Sequence, residues 1–369
     1  MERALARSRD RFQDPYRSRR KIRLMIVDDS TVARAVLSRM VESDPTFEIT
    51  AVAGSAEAAI EALGECRVDI VVLDLEMPGV GGLKSIPRII AAAAGAKIMI
   101  VSSLADDGAE QTVAALALGA ADTMPKPGIG RFNGKFSEIL LSKLKALGYA
   151  SIQPLPPVVP RLDGQAFLRA MPTDPIGALA IGASTGGIHA LGVLFKTLPQ
   201  RIGVPILVTQ HLPIPFMSVF ARQLGAVAQR EALVAEDGMK LLPDRILVAP
   251  GDAHLTLEPE GKGAVVRLTH GRCSSGCLPS VDPMFASLGA IYGSGALGVV
   301  LTGMGRDGVE GGSRLVACGG SILAQDEESC AVWGMPRAIL EAGLACAVFP
   351  PDKIARRIAS RTAEQSACK

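Results

Sequence analysis

Ser184 stands in Ile181-Gly182-Ala183-Ser184-Thr185-Gly186-Gly187, after the apolar run Ala178-Leu179-Ala180 and before the helical pattern His189–Phe195. A serine at a strand-to-helix turn exposes its hydroxyl beside the unpaired N–H groups that begin a helix. The Gly-x-Ser-x-Gly spacing, whose small residues let a carbonyl approach the backbone, suits an attacking nucleophile. The same glycines suit a phosphate- or nucleotide-binding loop in which Ser184 only caps the helix. This stretch alone leaves both readings open.

A serine nucleophile needs a base, and the chain holds four histidines. His211 ends a strand pattern in Thr209-Gln210-His211-Leu212-Pro213, at the sheet edge where Ser184 emerges, which is where an acid–base group must sit. His189, five residues after Ser184 on the same helix, points to another face and reads as a surface residue. His254 opens a hairpin and lines a pocket or satisfies a loop carbonyl; His270 reads as a solvated turn residue. An orienting carboxylate comes from Asp307 in the glycine-rich turn Thr302-Gly303-Met304-Gly305-Arg306-Asp307-Gly308. Ser184, His211 and Asp307 are far apart in sequence but belong to three strand ends of one sheet, so they can converge. The order Ser–His–Asp differs from that of α/β-hydrolases and does not imply that fold.

A second constellation lies upstream. Asp28-Asp29, Asp74, Ser102 and Lys126 each follow a strand pattern. Three carboxylates on one sheet edge repel one another unless a hard cation such as Mg²⁺ sits among them. A hydroxyl and an ammonium beside them suit a phosphoryl group carried on a carboxylate.

The elements that must position these groups alternate strand and helix. Ile22–Val27, Glu48–Ala53, Val68–Leu73, Lys97–Val101 and Asp122–Met124 read as strands, with helices at Thr31–Glu42, Ala56–Leu63, Leu83–Ala93 and Gly108–Leu118. Such βα units predict a doubly wound five-stranded parallel sheet, with ligands at the carboxyl ends of its strands. The second half alternates again, with strands at Ala178–Ile181, Val204–Thr209, Arg245–Ala249, Gly298–Leu301 and Ser321–Ala324. There His254–Leu257 and Ala264–Thr269 add an antiparallel hairpin to a second α/β domain. The expected division is a basic extension over 1–20, a first domain over 21–148, a Pro-rich linker over 149–175 and a second domain over 176–361. Proline at the density of 150–175 makes an extended, semi-stiff spacer.

Composition agrees. The 369 residues fit two or three domains, and only 4% are aromatic, so the cores must be built from aliphatic side chains, as in α/β layers. A net charge of +2 gives no reason to expect nucleic-acid binding, and no apolar run reaches the ~20 residues of a membrane span. The N-terminus lacks the apolar core of a signal peptide, which predicts a cytoplasmic protein without membrane insertion. The seven cysteines are scattered. Cys273 and Cys277 have no second close pair, so they read as reduced thiols in a surface loop rather than a metal site.

Residues 22–145 resemble the response-regulator receiver family through Val27-Asp28-Asp29-Ser30, Leu73-Asp74-Leu75-Glu76-Met77-Pro78-Gly79, Ser102-Ser103 and Lys126-Pro127. The resemblance implies that Asp74 accepts phosphate from a histidine kinase, that Asp28 and Asp29 hold Mg²⁺ with it, and that Ser102 and Lys126 sense the phosphoryl group. Thr123 stands where receivers usually carry Tyr or Phe, which puts an aromatic-rotation switch in doubt.

Residues 176–350 resemble the catalytic domain of the chemotaxis protein-glutamate methylesterases. The matching stretches are Ile181–Gly187, Gln210–Pro213, Ala249–His254, Pro279-Ser280-Val281-Asp282, Leu301–Gly308 and Gln325-Asp326 followed by Trp333-Gly334-Met335-Pro336. The resemblance implies hydrolysis of glutamate methyl esters on chemoreceptors, with deamidation of receptor glutamines, and a receiver covering the site until Asp74 is phosphorylated. Ser184 would attack, His211 would take its proton and Asp307 would orient His211; the Thr185 N–H and one from the Met304 turn would bind the oxyanion. No cofactor is expected for the hydrolysis. The competing class is a signalling adaptor whose second domain only binds a partner or nucleotide, and it leaves His211 and Asp307 without a task. A dinucleotide site fails on spacing, since the Ser184 loop lacks Gly-x-Gly-x-x-Gly.

Overall fold

A computed structural model describes residues 20–79, 81–102, 106–126, 134–152, 168–261 and 263–367. The predicted basic extension, apart from Arg20, and most of the Pro-rich linker lie outside these residues, as do Ser103 and Pro127.

The first unit runs β1 (Ile22–Val27), α1 (Thr31–Glu42), β2 (Phe47–Ala53), α2 (Ala56–Glu65), β3 (Ile70–Leu73), α3 (Gly82–Ala92), β4 (Lys97–Ser102), α4 (Asp106–Ala117), β5 (Asp122–Pro125) and α5 (Gly134–Ile152). Its sheet has the order β2-β1-β3-β4-β5, with parallel pairing throughout. Strands buried on both faces need near-continuous aliphatic runs, and β1, β3 and β4 supply them. Ser30 and Ser55 cap α1 and α2, their hydroxyls accepting the Ala33 and Ala58 N–H groups. Leu140, Leu144 and Leu147 anchor α5 by its buried stripe, and the helix continues to Ile152, past the expected boundary at 148.

The second unit runs β6 (Ala178–Ala183), α6 (Gly187–Thr197), β7 (Ile206–Gln210), α7 (Ile214–Ala228), β8 (Ala232–Val234), β9 (Ile246–Val248), β10 (His254–Glu260), β11 (Gly263–Thr269), α8 (Val281–Tyr292), β12 (Ala296–Val300), α9 (Val309–Ala317), β13 (Ser321–Gln325), α10 (Met335–Glu341), β14 (Ala345–Phe349) and α11 (Pro351–Ala367). Seven strands pair in parallel in the order β14-β13-β12-β6-β7-β9-β8, and β10-β11 form the antiparallel hairpin. The edge strands β8 and β14 are additions to the sequence reading. Leu191, Phe216 and Ile354 from α6, α7 and α11 bury one face of the sheet; Phe285, Leu315 and Ile339 from α8, α9 and α10 bury the other.

The two units pack against each other through α4, which lies on α6 and α7. Leu116 and Ala120 of the first unit join Ile188 and Leu212 of the second in one apolar cluster.

Candidate active site and phosphoacceptor site

The strand order fixes the first site. β12, β6 and β7 are neighbours, so their carboxyl ends deliver Asp307, Ser184 and His211 to one edge. The His211 N–H donates to the Ala183 carbonyl (3.1 Å) and the Ser184 N–H to the Thr302 carbonyl (3.0 Å), so the three chain segments are tied side by side. Ser184 and His211 line the same small cavity. Two glycines make the approach possible. A Cβ on Gly303 would fall 2.7 Å from the Ser184 Cβ, and Gly186 has φ 78°, a left-handed conformation that side chains resist.

His211 Nε2 meets Asp307 Oδ2 at 2.8 Å, which leaves Nδ1 for another partner. Asp307 is fully buried and held on all sides. Its Oδ2 also accepts the Val281 N–H (2.8 Å), while Oδ1 accepts the Ser280 hydroxyl (2.7 Å) and the Gly308 N–H (3.1 Å). Burial alone would raise its pKa; His211, Ser280 and Val281 outweigh that and hold it far below the usual carboxylate range. Burial would likewise depress His211, but its bonds to Asp307 and Cys277 raise it to about 9. At neutral pH the imidazole in this closed arrangement therefore carries a proton. Neighbouring Asp282 is pushed up to about 6, by burial first and then by the charge of Asp307, against the Gly311 N–H that it accepts at 2.7 Å.

Gln210, Ser280, Asp282 and Cys277 belong to this site although the sequence reading assigned them no role. Gln210 is buried and its Nε2 donates to the Ser184 carbonyl (2.9 Å), bracing the turn. The remaining histidines fall where expected. His254 bonds the Gly271 carbonyl (2.7 Å) and the Ser280 N–H (3.0 Å), His270 bonds the Asp252 carbonyl, and His189 lies exposed on α6. The Met304 side chain is exposed beyond Gly303.

The first unit covers this site. The Gly186 N–H donates to the Ala121 carbonyl (2.6 Å), the Thr185 hydroxyl donates to Asp122 Oδ2 (2.7 Å), and His189 Nδ1 donates to the Ala117 carbonyl (3.1 Å). Farther out, Arg222 pairs with Glu110 at 2.6 Å. Between Ala121, Asp122, Ser184 and His211 about 10 Å³ of cavity remains, about the room of one water.

The carboxylate constellation lies at the other end of β5. Asp28, Asp29 and Asp74 bring carboxylate oxygens within 4.8 Å of one another. Lys126 Nζ bridges Asp28 Oδ2 (2.7 Å) and Asp74 Oδ2 (2.8 Å). Burial, joined by the charge of Asp28, raises the Asp74 pKa against the pull of Lys126. Among the described residues the buried Ser102 Oγ has no partner. An all-oxygen donor set of this kind fits a hard divalent cation. The edge facing the second unit is not this one but the amino end of β5, together with α4.

Two family models match this chain: the one described as response regulator receiver domain over residues 24–131, and the one described as CheB methylesterase over residues 179–358. A protein-glutamate methylesterase/protein-glutamine glutaminase of Caulobacter vibrioides is 40% identical, the match covering 92% of this chain and 99% of that one. Another of that name, from Paramagnetospirillum magneticum, is 37% identical over 90% of this chain and 94% of its own length. The chain belongs to the CheB methylesterase family. Among solved structures, the Thermotoga maritima CheB methylesterase catalytic domain is 34% identical and covers 51% of this chain and 99% of its own, with a TM-score of 0.49. In CheB terms, the first unit is the receiver and the second the methylesterase domain. No described helix is long and apolar enough to cross a membrane.

Proposed function

We propose that this chain is a phosphorylation-gated serine esterase that hydrolyses glutamate methyl esters, and deamidates glutamines, on cytoplasmic segments of chemoreceptors, with a histidine kinase as phosphodonor. The observation that carries the reading is the His211–Asp307 pair, whose histidine shares with Ser184 a small cavity bordered by Ala121 and Asp122 of the receiver. Ser184 Oγ attacks the ester carbonyl while His211 takes its proton, and Asp307 steadies the imidazolium that forms. The Thr185 N–H, with one from the Met304 turn, binds the oxyanion. Methanol leaves with the proton from His211, or ammonia leaves when the substrate is a glutamine. Water, deprotonated by His211, then cleaves the γ-glutamyl ester on Ser184 and frees the glutamate.

On the receiver, Asp28, Asp29 and Asp74 would hold Mg²⁺, which supplies charge neutralisation for phosphoryl transfer. Asp74 takes the phosphoryl group, and Lys126 and Ser102 bind its oxygens. While the Ala121 carbonyl occupies the Gly186 N–H, a receptor helix cannot reach Ser184.

Methanol release from methylated receptor membranes, with and without a phosphodonor, tests the reading. Ser184→Ala is expected to lower the stimulated rate on the order of 10³–10⁶-fold. Near-normal release from that folded variant overturns the assignment and favours the adaptor.

A further inference from the structure

Cys277 reaches the edge of the esterase site from the segment between β11 and α8, and its sulfur lies with a ring nitrogen of His211 and a carboxylate oxygen of Asp307 in one group whose donor atoms are all within 4.8 Å of one another. We propose that Cys277, His211 and Asp307 form a binding site for a thiophilic divalent cation of the zinc type, and that its occupation switches the hydrolase off. The proposal concerns these three side chains and does not depend on which ester the enzyme cleaves.

The donor set favours that class of ion. Sulfur, imidazole nitrogen and carboxylate oxygen are the three ligand types that Zn²⁺ takes, at bond lengths of about 2.0–2.3 Å, so ligand atoms in a tetrahedral site stand ~3.3–3.8 Å apart. The 2.8 Å between His211 Nε2 and Asp307 Oδ2 needs to open by only about 0.5–1 Å if that nitrogen is the one used. Cys277 is free to turn, since its thiol otherwise makes only a long contact to the Ser275 carbonyl at 3.8 Å. Asp307 is braced from behind by Ser280 and Gly308, the kind of second layer of hydrogen bonds that holds a metal ligand in place. The receiver site offers the opposite chemistry, three carboxylates and no sulfur, and suits a hard cation. The two sites should therefore sort ions by softness.

Occupation is inhibitory because the cation takes what catalysis needs. The ion uses an imidazole lone pair and pulls on the Asp307 oxygen, so His211 can no longer accept the Ser184 proton while Asp307 steadies it. Cys277 is half-buried and the group is not sealed, which suits reversible loading rather than a permanent structural ion. Sequence spacing concealed the site. Cys273 and Cys277 have no second cysteine pair, and the other two donors come from distant strand ends.

The test uses the full-length, metal-free protein with two probes. Titration with Co²⁺ should give a thiolate-to-cobalt charge-transfer band in the near ultraviolet, lost in Cys277→Ser and kept in Cys273→Ser. Titration with Zn²⁺ during phosphodonor-stimulated methanol release should inhibit the unsubstituted protein, with recovery on chelation. Cys277→Ser should need at least ten-fold more Zn²⁺ for the same fractional inhibition of its own zinc-free rate. The cobalt band needs no catalysis, so it separates failure of this site from failure of the esterase reading. A missing band, a band that depends on Cys273, equal zinc sensitivity of the Cys277 variant, or activation by Zn²⁺ each overturns the proposal.

Discussion

Replacing Asp122 by alanine should loosen the receiver from the esterase without removing a residue of either proposed chemical mechanism. The carboxylate stands at the amino end of β5, where Oδ2 accepts the Thr185 hydroxyl and the Lys143 ammonium, each at 2.7 Å. A hydrogen bond to a charged acceptor contributes about 1.5–3 kcal/mol. Here Lys143 already neutralises much of the charge, and the carboxylate side chain keeps 13% exposure, so a net loss of ~1–2 kcal/mol is reasonable. Suppose the closed arrangement is favoured by ~2 kcal/mol, within the usual range of coupling energies, so that ~3% of unphosphorylated molecules are open. Removing ~1.5 kcal/mol raises the open fraction to ~30%, a gain of roughly ten-fold. The assay is methanol release from methylated receptor membranes without a phosphodonor, and the phosphorylated rate should stay within two-fold. Lys143→Ala, which removes only the partner within the receiver, should raise the basal rate less. A basal rate for Asp122→Ala within two-fold of the unsubstituted protein, in a receiver that still accepts phosphate at Asp74, would refute the assignment of this contact as a latch.

Two further predictions concern the esterase site. His211→Ala should resemble Ser184→Ala in turnover and the double variant should be little worse than either, because the two residues act as one unit; His189→Ala should leave the stimulated rate within a few fold, as measured by methanol release. His211 holds its proton up to about pH 9 in the closed arrangement, so NMR titration of the unphosphorylated protein should show its imidazole deprotonating near there, and Asp307→Asn should bring that value down. The sign follows from the state that is favoured: the raised value stabilises folded protein below the ordinary histidine pKa, and this contribution is lost as pH rises through about 9.

The sheets and the two chemical constellations were legible because a parallel sheet collects its strand ends. Once Ala178–Ile181, Val204–Thr209 and Gly298–Leu301 read as strands, Ser184, His211 and Asp307 had to share an edge, and the same logic gathered Asp28, Asp74 and Lys126. What stayed hidden depends on partners that no local pattern announces. Asp122 reads as an ordinary charged residue at a strand start, and only the docking of α4 on α6 and α7 brings it to Thr185. Ser280 looks like a helix cap and does cap α8, while the same hydroxyl donates to Asp307. The edge strand β8 has three residues and β14 is Ala-Cys-Ala-Val-Phe, both too short or too small in side chain to stand out from their flanks.

The placement of the latch says how phosphorylation has to act. Asp122 opens β5 and Lys126 follows its last residue, Pro125, so their Cα atoms lie about 13 Å apart, with the esterase contact at one end of the strand and the lysine that bridges Asp28 and Asp74 at the other. On the proposed reading, a phosphoryl group on Asp74 would add negative charge that draws Lys126 and engages the unpartnered Ser102 hydroxyl, at the carboxyl ends of β4 and β5. Thr123, buried in β5, has no ring to swing, so on this reading the shift runs through the strand and through α4, where the Ala117 carbonyl at the helix end and the Ala121 carbonyl just before β5 meet His189 and Gly186. On this reading the lever would gate access and leave the chemistry itself unchanged. Residues 173–369 alone should therefore hydrolyse receptor esters at the stimulated rate without phosphate, whereas full-length Asp74→Ala should stay at the basal rate with a phosphodonor present. Amide hydrogen exchange should rise on phosphorylation at Thr185–Gly187 and at the carboxyl end of α4, and not in Asp74→Ala. If the separated domain were no faster than the unphosphorylated full-length protein on receptor membranes, occlusion by the receiver would be ruled out as the brake.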